Sequence, residues 1–397
     1  KHTGQRDLFE HRPVWEEDDR RRGIVATVVL PDGVERELDY VVPERLAADV
    51  EPGRRVVVPL GRANRPRLAY CVARVERELP HHPLKEVLAV EDPAPLLSAR
   101  MLELTEWMAE RWMARRGEVL EAVLPAGVRL SRGARREALL VASVDGPAPR
   151  SAAQRRVLEA AATPGTAAEL ATRAGCGRSV VTRLVDAGSL VDAGSRERGP
   201  ARAPERARVV HDAPPALSAA QRGALDAILA PLAAGRHETI VLFGVTGSGK
   251  TEVYLQAVEE TLRQGRQAIV LVPEISLTPQ TCDRFRARFG AVAVLHSHLT
   301  PAERHAEWRE IASGSVGVVV GARSAVFAPA PRLGLVVIDE EHETSFKQAT
   351  APRYHARDVA EWIARSAGVP LVLGSAAPSL ETFARCLDGD WRMCRLP

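Results

Sequence analysis

Aromatic residues are scarce in this 397-residue chain, at 4%, and its cysteines are few and scattered: Cys71, Cys176, Cys282, Cys386 and Cys394. No two of them form a Cys-x-x-Cys pair, which speaks against a disulfide framework or a zinc site within these residues and points to a reducing cytoplasm. No apolar run approaches the roughly 18 residues of a membrane span, and no signal-peptide pattern opens the chain, so no membrane partner is expected. A strong charge of one sign is missing too. The net charge is +3, so a nucleic-acid surface would have to be a local basic patch. What is present is 45% hydrophobic content, ample for the cores of about two to four domains. The chain opens on Lys1 rather than Met and stops after Arg395-Leu396-Pro397, and so reads as a fragment.

Residues 1 to 22 mix charges without periodicity, as in Glu16-Glu17-Asp18-Asp19-Arg20-Arg21-Arg22, and read as a disordered, solvated tail. From Gly23 the pattern changes to short β-rich runs, Ile24 to Leu30, Glu37 to Val42, Arg54 to Leu60 and Leu68 to Arg74, separated by Pro31-Asp32-Gly33, Pro52-Gly53 and Gly61 to Asn64. This spacing predicts a small barrel or curled sheet. Ser98 to Trp112 carries Leu102, Leu104, Trp107 and Met108 at helical spacing, continuing to Met113, and reads as a helix capping that sheet with a core stripe of Trp and Met.

Residues 131 to 150 read as a polar connection. Three short helices are predicted next, Ser151 to Ala162, Thr166 to Arg173 and Gly177 to Ala187, ending in Gly188-Ser189-Leu190-Val191. That is the outline of a winged helix, with Arg178 and Arg183 on the third helix, and DNA reading and a spacer or protein-interaction role are equally open. The domain is bounded at 131–195, and residues 196 to 216, with arginines among Gly, Pro and Ala, read as a basic linker.

From Leu217 onward continuous apolar strands alternate with helical segments, which implies a parallel sheet covered on both faces. Predicted strands are Thr239 to Phe243, Ala268 to Val272, Val292 to Leu295, Val316 to Val320, Leu335 to Ile338 and Leu371 to Leu373. The first runs into Gly244-Val245-Thr246-Gly247-Ser248-Gly249-Lys250-Thr251, a P-loop between strand and helix. Its glycines let backbone N–H groups turn inward around a phosphate, and the helix N-terminus adds partial positive charge. Lys250 would reach the β- and γ-phosphates, and Thr251 would offer its hydroxyl to Mg²⁺. Asp339, at the end of Leu335-Val336-Val337-Ile338, can hold Mg²⁺, and Glu340 can orient or deprotonate the attacking water. Upstream, Ser218 and Gln221 offer an N-cap and an amide that could bond an adenine edge; an ordinary capped helix accounts for them equally well. Loops after other strands, Val272-Pro273-Glu274-Ile275 and Gly321-Ala322-Arg323-Ser324-Ala325, reach the same sheet edge, with Arg323, Ser276, Thr278 and Ser324 as donors to a nucleic-acid backbone.

Five blocks together resemble the PriA family of primosomal DNA helicases, within helicase superfamily 2. They are Gly244 to Tyr254, Val272 to Gln280, Gly321 to Ala325, Asp339-Glu340-Glu341-His342 and Arg353-Tyr354-His355-Ala356-Arg357-Asp358. The fold class expected is a multidomain α/β chain, with a P-loop (RecA-like) lobe over 217–397 preceded by a small β-rich DNA-binding domain over 23–130 and a winged helix. The resemblance implies an ATP-dependent 3′-to-5′ DNA helicase of replication restart, with ATP and Mg²⁺ as cofactors and zinc only beyond residue 397. It further implies recognition of branched forks, 3′ ends and single strands, primosome and single-strand-binding proteins as partners, and a monomeric, cytoplasmic, nucleoid-associated protein. By the same resemblance Leu38, Asp39, Tyr40, Gly61 and Lys85 would hold a DNA 3′ end. Glu343 to Arg357 would be an aromatic-rich loop coupling DNA contact to hydrolysis through Phe346, Lys347, Arg353 and Tyr354, with His342 as its link to the ATP site. Where the family has Ser-Ala-Thr this chain has Ser375-Ala376-Ala377, and the missing hydroxyl leaves a second reading open: a DNA-structure-binding scaffold with a vestigial ATP site.

Overall fold

A computed structural model describes residues 22–31, 34, 36–80, 83–130, 136–143, 146–197 and 215–397. The expected tail lies outside the described residues apart from Arg22, as does the expected linker apart from its first and last two residues.

The N-terminal β-region is an antiparallel sheet of β1 (Arg22–Val29), β2 (Leu38–Val41), β3 (Arg55–Leu60), β4 (Arg65–Glu78) and β5 (Ala89–Val90), in the order β2-β1-β4-β3-β5. Side-chain alternation divides β1 and β4 between two cores. Val28, Ala69 and Cys71 pack with Tyr40, Val56 and Val58 inside the curl, while Val29, Tyr70 and Val72 face the helices. The stretch from Lys85 to Val90 closes the curl, because Val41 N donates to Lys85 O at 2.9 Å and Leu88 N donates to Val57 O at 2.8 Å. One segment thus pairs with both edges, which is why Lys85 arrives beside β2.

Three helices follow: α1 (Ala99–Arg111), α2 (Arg116–Val123) and α3 (Ala126–Leu130). Ser98 Oγ caps α1 by accepting from Met101 N, and Leu102, Leu104 and Met108 are buried along it. Met113 departs from the expected core stripe: it is 95% exposed and sits at φ +48, where the chain has turned out of the helix. Helix α3 packs so closely on the P-loop lobe that a Cβ on Gly127 would lie 1.8 Å from Pro301 O.

Residues 131–200 form a separate unit. Its helices α4 (Ala152–Ala160), α5 (Ala167–Arg173) and α6 (Arg178–Asp186) bury Val157, Leu170, Val181 and Leu184 against Leu140 and Leu190. The sequence reading of 131–150 as a mere connection is corrected, because β6 (Arg136–Ala142) pairs antiparallel with β7 (Leu190–Glu197). The apolar Leu139-Leu140-Val141 core of β6 was masked by its short length and its arginine-rich flank.

The remaining lobe contains α7 (Ala219–Ala234), β8 (Thr239–Gly244), α8 (Lys250–Arg263), β9 (Gln267–Leu271), α9 (Pro279–Phe289), β10 (Val292–Leu295), α10 (Pro301–Ala312), β11 (Val318–Gly321), β12 (Leu333–Ile338), α11 (Ala356–Ala367), β13 (Leu371–Ser375), α12 (Leu380–Leu387) and β14 (Arg392–Leu396). The sheet is seven-stranded, β10-β11-β9-β12-β13-β8-β14, and every pairing is parallel. Both faces are buried: Ala268 and Val270 pack beneath α7, α8 and α9, while Ile269 and Leu271 pack beneath α10 and α11. That explains the uninterrupted apolar runs of the central strands. The edge strand β14 escaped sequence reading because Arg392-Met393-Cys394-Arg395-Leu396 interleaves charge with apolar residues. Among the described residues, no helix is long and apolar enough to cross a membrane.

Candidate nucleotide and nucleic-acid sites

The sheet order puts the C-terminal ends of β8, β13 and β12 side by side, and the loops leaving them carry the expected nucleotide residues. Gly247 and Gly249 adopt φ +89 and +83, conformations that glycine enters without steric cost. Gly249 then starts α8 with no side-chain cap, which leaves the first N–H groups free to face a phosphate. Lys250 is buried, and its Nζ donates to Gly244 O at 2.7 Å and Val245 O at 3.3 Å. The same ammonium stands 3.9 Å from Glu340 Oε1.

Asp339 and Glu340 meet this loop from β12. Asp339 Oδ2 accepts from Tyr254 Oη at 2.9 Å, and its Oδ1 accepts from Glu340 N at 3.1 Å. Burial raises the Asp339 carboxyl above its usual range, while the Tyr254 hydrogen bond opposes that rise. Glu340 sits at φ +47, a conformation that costs a non-glycine residue energy and is found where a site over-determines the backbone. Its Oε2 is buried without a hydrogen bond, as is Ser248 Oγ in the facing loop. Orphaned buried polar atoms of this kind are costly unless a ligand or water meets them. With Lys250, Thr251 and Asp339 beside them, these groups fit a nucleoside triphosphate carried with Mg²⁺.

Gln221 is placed differently from the adenine-binding expectation. Its Oε1 accepts from Ser218 N at 2.8 Å in a capping box, and its Nε2 donates to Ser248 O at 2.9 Å. Both ends of the amide are therefore engaged, and Gln221 buttresses the P-loop in this structure.

Sequence reasoning missed a buried network behind Glu340. The Glu341 side chain is 0% exposed. It accepts from Ser379 N at 2.8 Å, Thr382 Oγ1 at 3.0 Å, Ser379 Oγ at 3.2 Å and Arg357 NH1 at 3.4 Å. This ties the loop after β12 to the start of α11 and to the Ser379 cap of α12. Alongside it, His342 Nδ1 lies 2.9 Å from Ser375 Oγ, which also accepts from Ala377 N at 3.1 Å. The signal available in sequence was an acid in the Asp339 to His342 block with no assigned role, together with Arg357 in a second block.

The loop expected to present aromatics to DNA is corrected. Phe346 and Tyr354 are each 1% exposed, and Tyr354 packs edge-on against Phe327 and Trp112. The aromatics fill the core between α1 and the P-loop lobe, which a chain poor in aromatics concentrates there. Lys347 and Arg353 do reach the surface, with Lys347 Nζ donating to Arg353 O at 2.6 Å. Arg323 NH1 donates to Ser345 O at 3.1 Å and Lys347 O at 2.9 Å, so it also braces this loop. Beside it a pocket of about 240 Å³ is lined by Glu274, Ser297, Arg304, Arg323, Ser324 and Ser345. Arg323 Nε and Ser345 Oγ are buried there without hydrogen bonds. Arg304 is an addition that helical periodicity alone could not single out.

In the N-terminal region Leu38, Asp39, Tyr40, Gly61 and Lys85 do come together, lining a pocket of about 620 Å³. Asp39 accepts from Thr27 Oγ1 at 2.7 Å and from Arg77 NH2 at 2.6 Å, and Lys85 Nζ donates to Gly61 O at 2.6 Å. Tyr40 turns inward and donates to Pro59 O at 3.2 Å.

Comparison with known proteins defines the class. Residues 27–125 match the family model of the 3′DNA-binding domain, and residues 218–385 match that of the DEAD/DEAH box helicase. A helicase lobe thus stands in one chain with a domain of the 3′DNA-binding kind. The chain is 32% identical to Replication restart protein PriA of Bacillus subtilis, covering 93% of this chain and 54% of that protein. It is 34% identical to the protein of the same name from Chlamydia pneumoniae, covering 94% and 51%. The Synechocystis protein is 53% identical over 43% of this chain and 20% of its own length. The chain belongs to the PriA family of replication restart proteins and spans about half the length of the curated relatives it matches.

Glu341→Ala is expected to leave the buried Arg357 guanidinium with Asp358, 3.5 Å away, as its remaining carboxylate. Removal of one partner from such a pair costs about 3–5 kcal/mol, read as a lower urea midpoint. An unchanged midpoint would show that the network carries no stability.

Proposed function

We propose that this chain is the fork-recognising and ATP-binding part of an ATP-dependent 3′-to-5′ DNA helicase that restarts stalled replication and begins primosome assembly. The observation that carries the reading is the convergence of Lys250, Asp339 and a strained Glu340, whose buried Oε2 accepts no hydrogen bond, at one edge of the sheet. Bound Mg²⁺ would neutralise charge building on the β- and γ-phosphates. Thr251 and Asp339 would hold that ion, Lys250 would exchange its loop carbonyls for phosphate oxygens, and Glu340 would orient the attacking water and take its proton. His342, bonded to Ser375 and near Glu340, would pass the state of this site to the loop of Lys347 and Arg353.

DNA enters this reading at two places. Arg304, Arg323 and Ser324 offer donors to a phosphate backbone. The pocket of Asp39, Gly61 and Lys85 suits a 3′ terminus: the Asp39 carboxylate can accept from a terminal hydroxyl, Lys85 can meet a phosphate, and Gly61 leaves room for close approach. Thr27 and Arg77 hold Asp39 in orientation for that contact. Single-strand-binding and primosome proteins as partners, a monomeric state and a cytoplasmic location at the nucleoid belong to the same proposal. Residues 1 to 397 alone should hydrolyse ATP poorly, because arginine fingers supplied from outside such a lobe are worth about 10³–10⁵ in rate.

The competing reading, a DNA-binding scaffold with a vestigial ATP site, draws on Ala377, which removes a hydroxyl from the loop after β13. Fork unwinding by the full-length protein separates the two. Lys250→Ala is expected to abolish unwinding and restart together; equal restart with and without Lys250 favours the scaffold.

Asp39→Ala is expected to weaken binding to forks with a free 3′-OH by about 10-fold, the scale of a charge-assisted hydrogen bond, and to change binding to 3′-phosphate forks far less. Equal losses on both substrates, measured by fluorescence anisotropy, would remove Asp39 from 3′-OH recognition.

A further inference from the structure

Tyr254 stands in α8 three residues beyond Thr251, the spacing that puts two side chains on one side of a helix. Its ring is 2% exposed, and a buried phenol must find a partner for its hydroxyl. Tyr40 meets that need ordinarily, by donating to the backbone carbonyl of Pro59. Tyr254 donates instead to Asp339 Oδ2 at 2.9 Å, across 85 residues of sequence. One buried group thus touches Asp339, a side chain that the nucleotide-site reading assigns to the metal.

We propose that Tyr254 is a positioning residue for the divalent metal of this site, an inference that rests on the nucleotide-site reading above. The Asp339 carboxylate receives Tyr254 Oη on Oδ2 and Glu340 N on Oδ1. Its remaining lone pairs are thereby aimed in fixed directions, and its rotation about the terminal torsion is stopped. Partners of this kind hold metal-binding carboxylates in orientation, and losing one typically lowers metal affinity about 10–100-fold. A phenylalanine would fill the same space while leaving Oδ2 without its donor. Tyr254 makes no contact with substrate in this account; it acts through Asp339.

The test compares the wild-type chain with Tyr254→Phe and Lys250→Ala. Mn²⁺ affinity is measured by electron paramagnetic resonance in the presence of ADP, and ADP affinity is measured separately in chelator. Tyr254→Phe is expected to lower Mn²⁺ affinity at least about 10-fold with metal-free ADP binding close to wild type. Wild-type Mn²⁺ affinity in a folded Tyr254→Phe chain overturns the proposal while leaving the nucleotide site intact. Failure of wild type to bind ADP, or binding unaffected by Lys250→Ala, overturns the nucleotide reading and this proposal with it. Should Tyr254→Phe fail to fold, the wild-type chain labelled with fluorotyrosine provides a second readout. Among its 4 tyrosines, the Tyr254 fluorine signal is expected to be the one broadened by Mn²⁺ with ADP, and an unbroadened Tyr254 signal overturns the proposal.

Discussion

The parallel pairing of β13 with β8 on one side and β12 on the other is the constraint on which the rest depends. Its register aligns Leu373 with both Val241 and Ile338, and Ser375 with Phe243. In a parallel sheet all strands end at the same edge, so the P-loop, Asp339 and Ser375 arrive together without any loop having to reach across. The backbone then accepts a positive φ at Glu340, because the neighbouring strands and the Glu341 network leave the loop no alternative path. Strain held by surrounding structure in this way fixes the direction in which the Glu340 side chain leaves the backbone.

A second device joins the site to its surroundings. Glu341 turns away from the nucleotide face and collects Ser379, Thr382 and Arg357 in a buried cluster, so motion of the loop after β12 is shared with the starts of two helices. Buried polar networks are stable only when fully satisfied, and this one leaves Glu341 with four donors. Tyr254 does for Asp339 what Arg357 and Ser379 do for Glu341. Asp339 and Glu341, the acids on either side of Glu340, are thus each held by buried hydrogen bonds.

Much of this was legible in the residues. Strands buried on both faces announce themselves as unbroken apolar runs, and Gly247, Gly249, Lys250 and Thr251 have a spacing that little but phosphate binding demands. Other parts were not legible, for physical reasons. β6 and β14 are short and carry arginines, so their pattern is diluted, and β5 contains only two residues. The burial of Phe346 and Tyr354 depends on α1, more than 230 residues earlier in the chain. No local periodicity could show that these aromatics are core rather than surface. Gln221 could bond an adenine edge or simply cap its helix, and no local pattern showed that its amide also reaches Ser248 O.

Calorimetric titration of residues 1 to 397 with a slowly hydrolysed ATP analogue and Mg²⁺ tests the central claim, that the strand ends alone preform a triphosphate site. The account predicts one site per chain, weakened about 10–100-fold by Lys250→Ala, the scale of a hydrogen bond to a charged group, and retained by Glu340→Gln. Binding that is absent in wild type, or indifferent to Lys250, would contradict it.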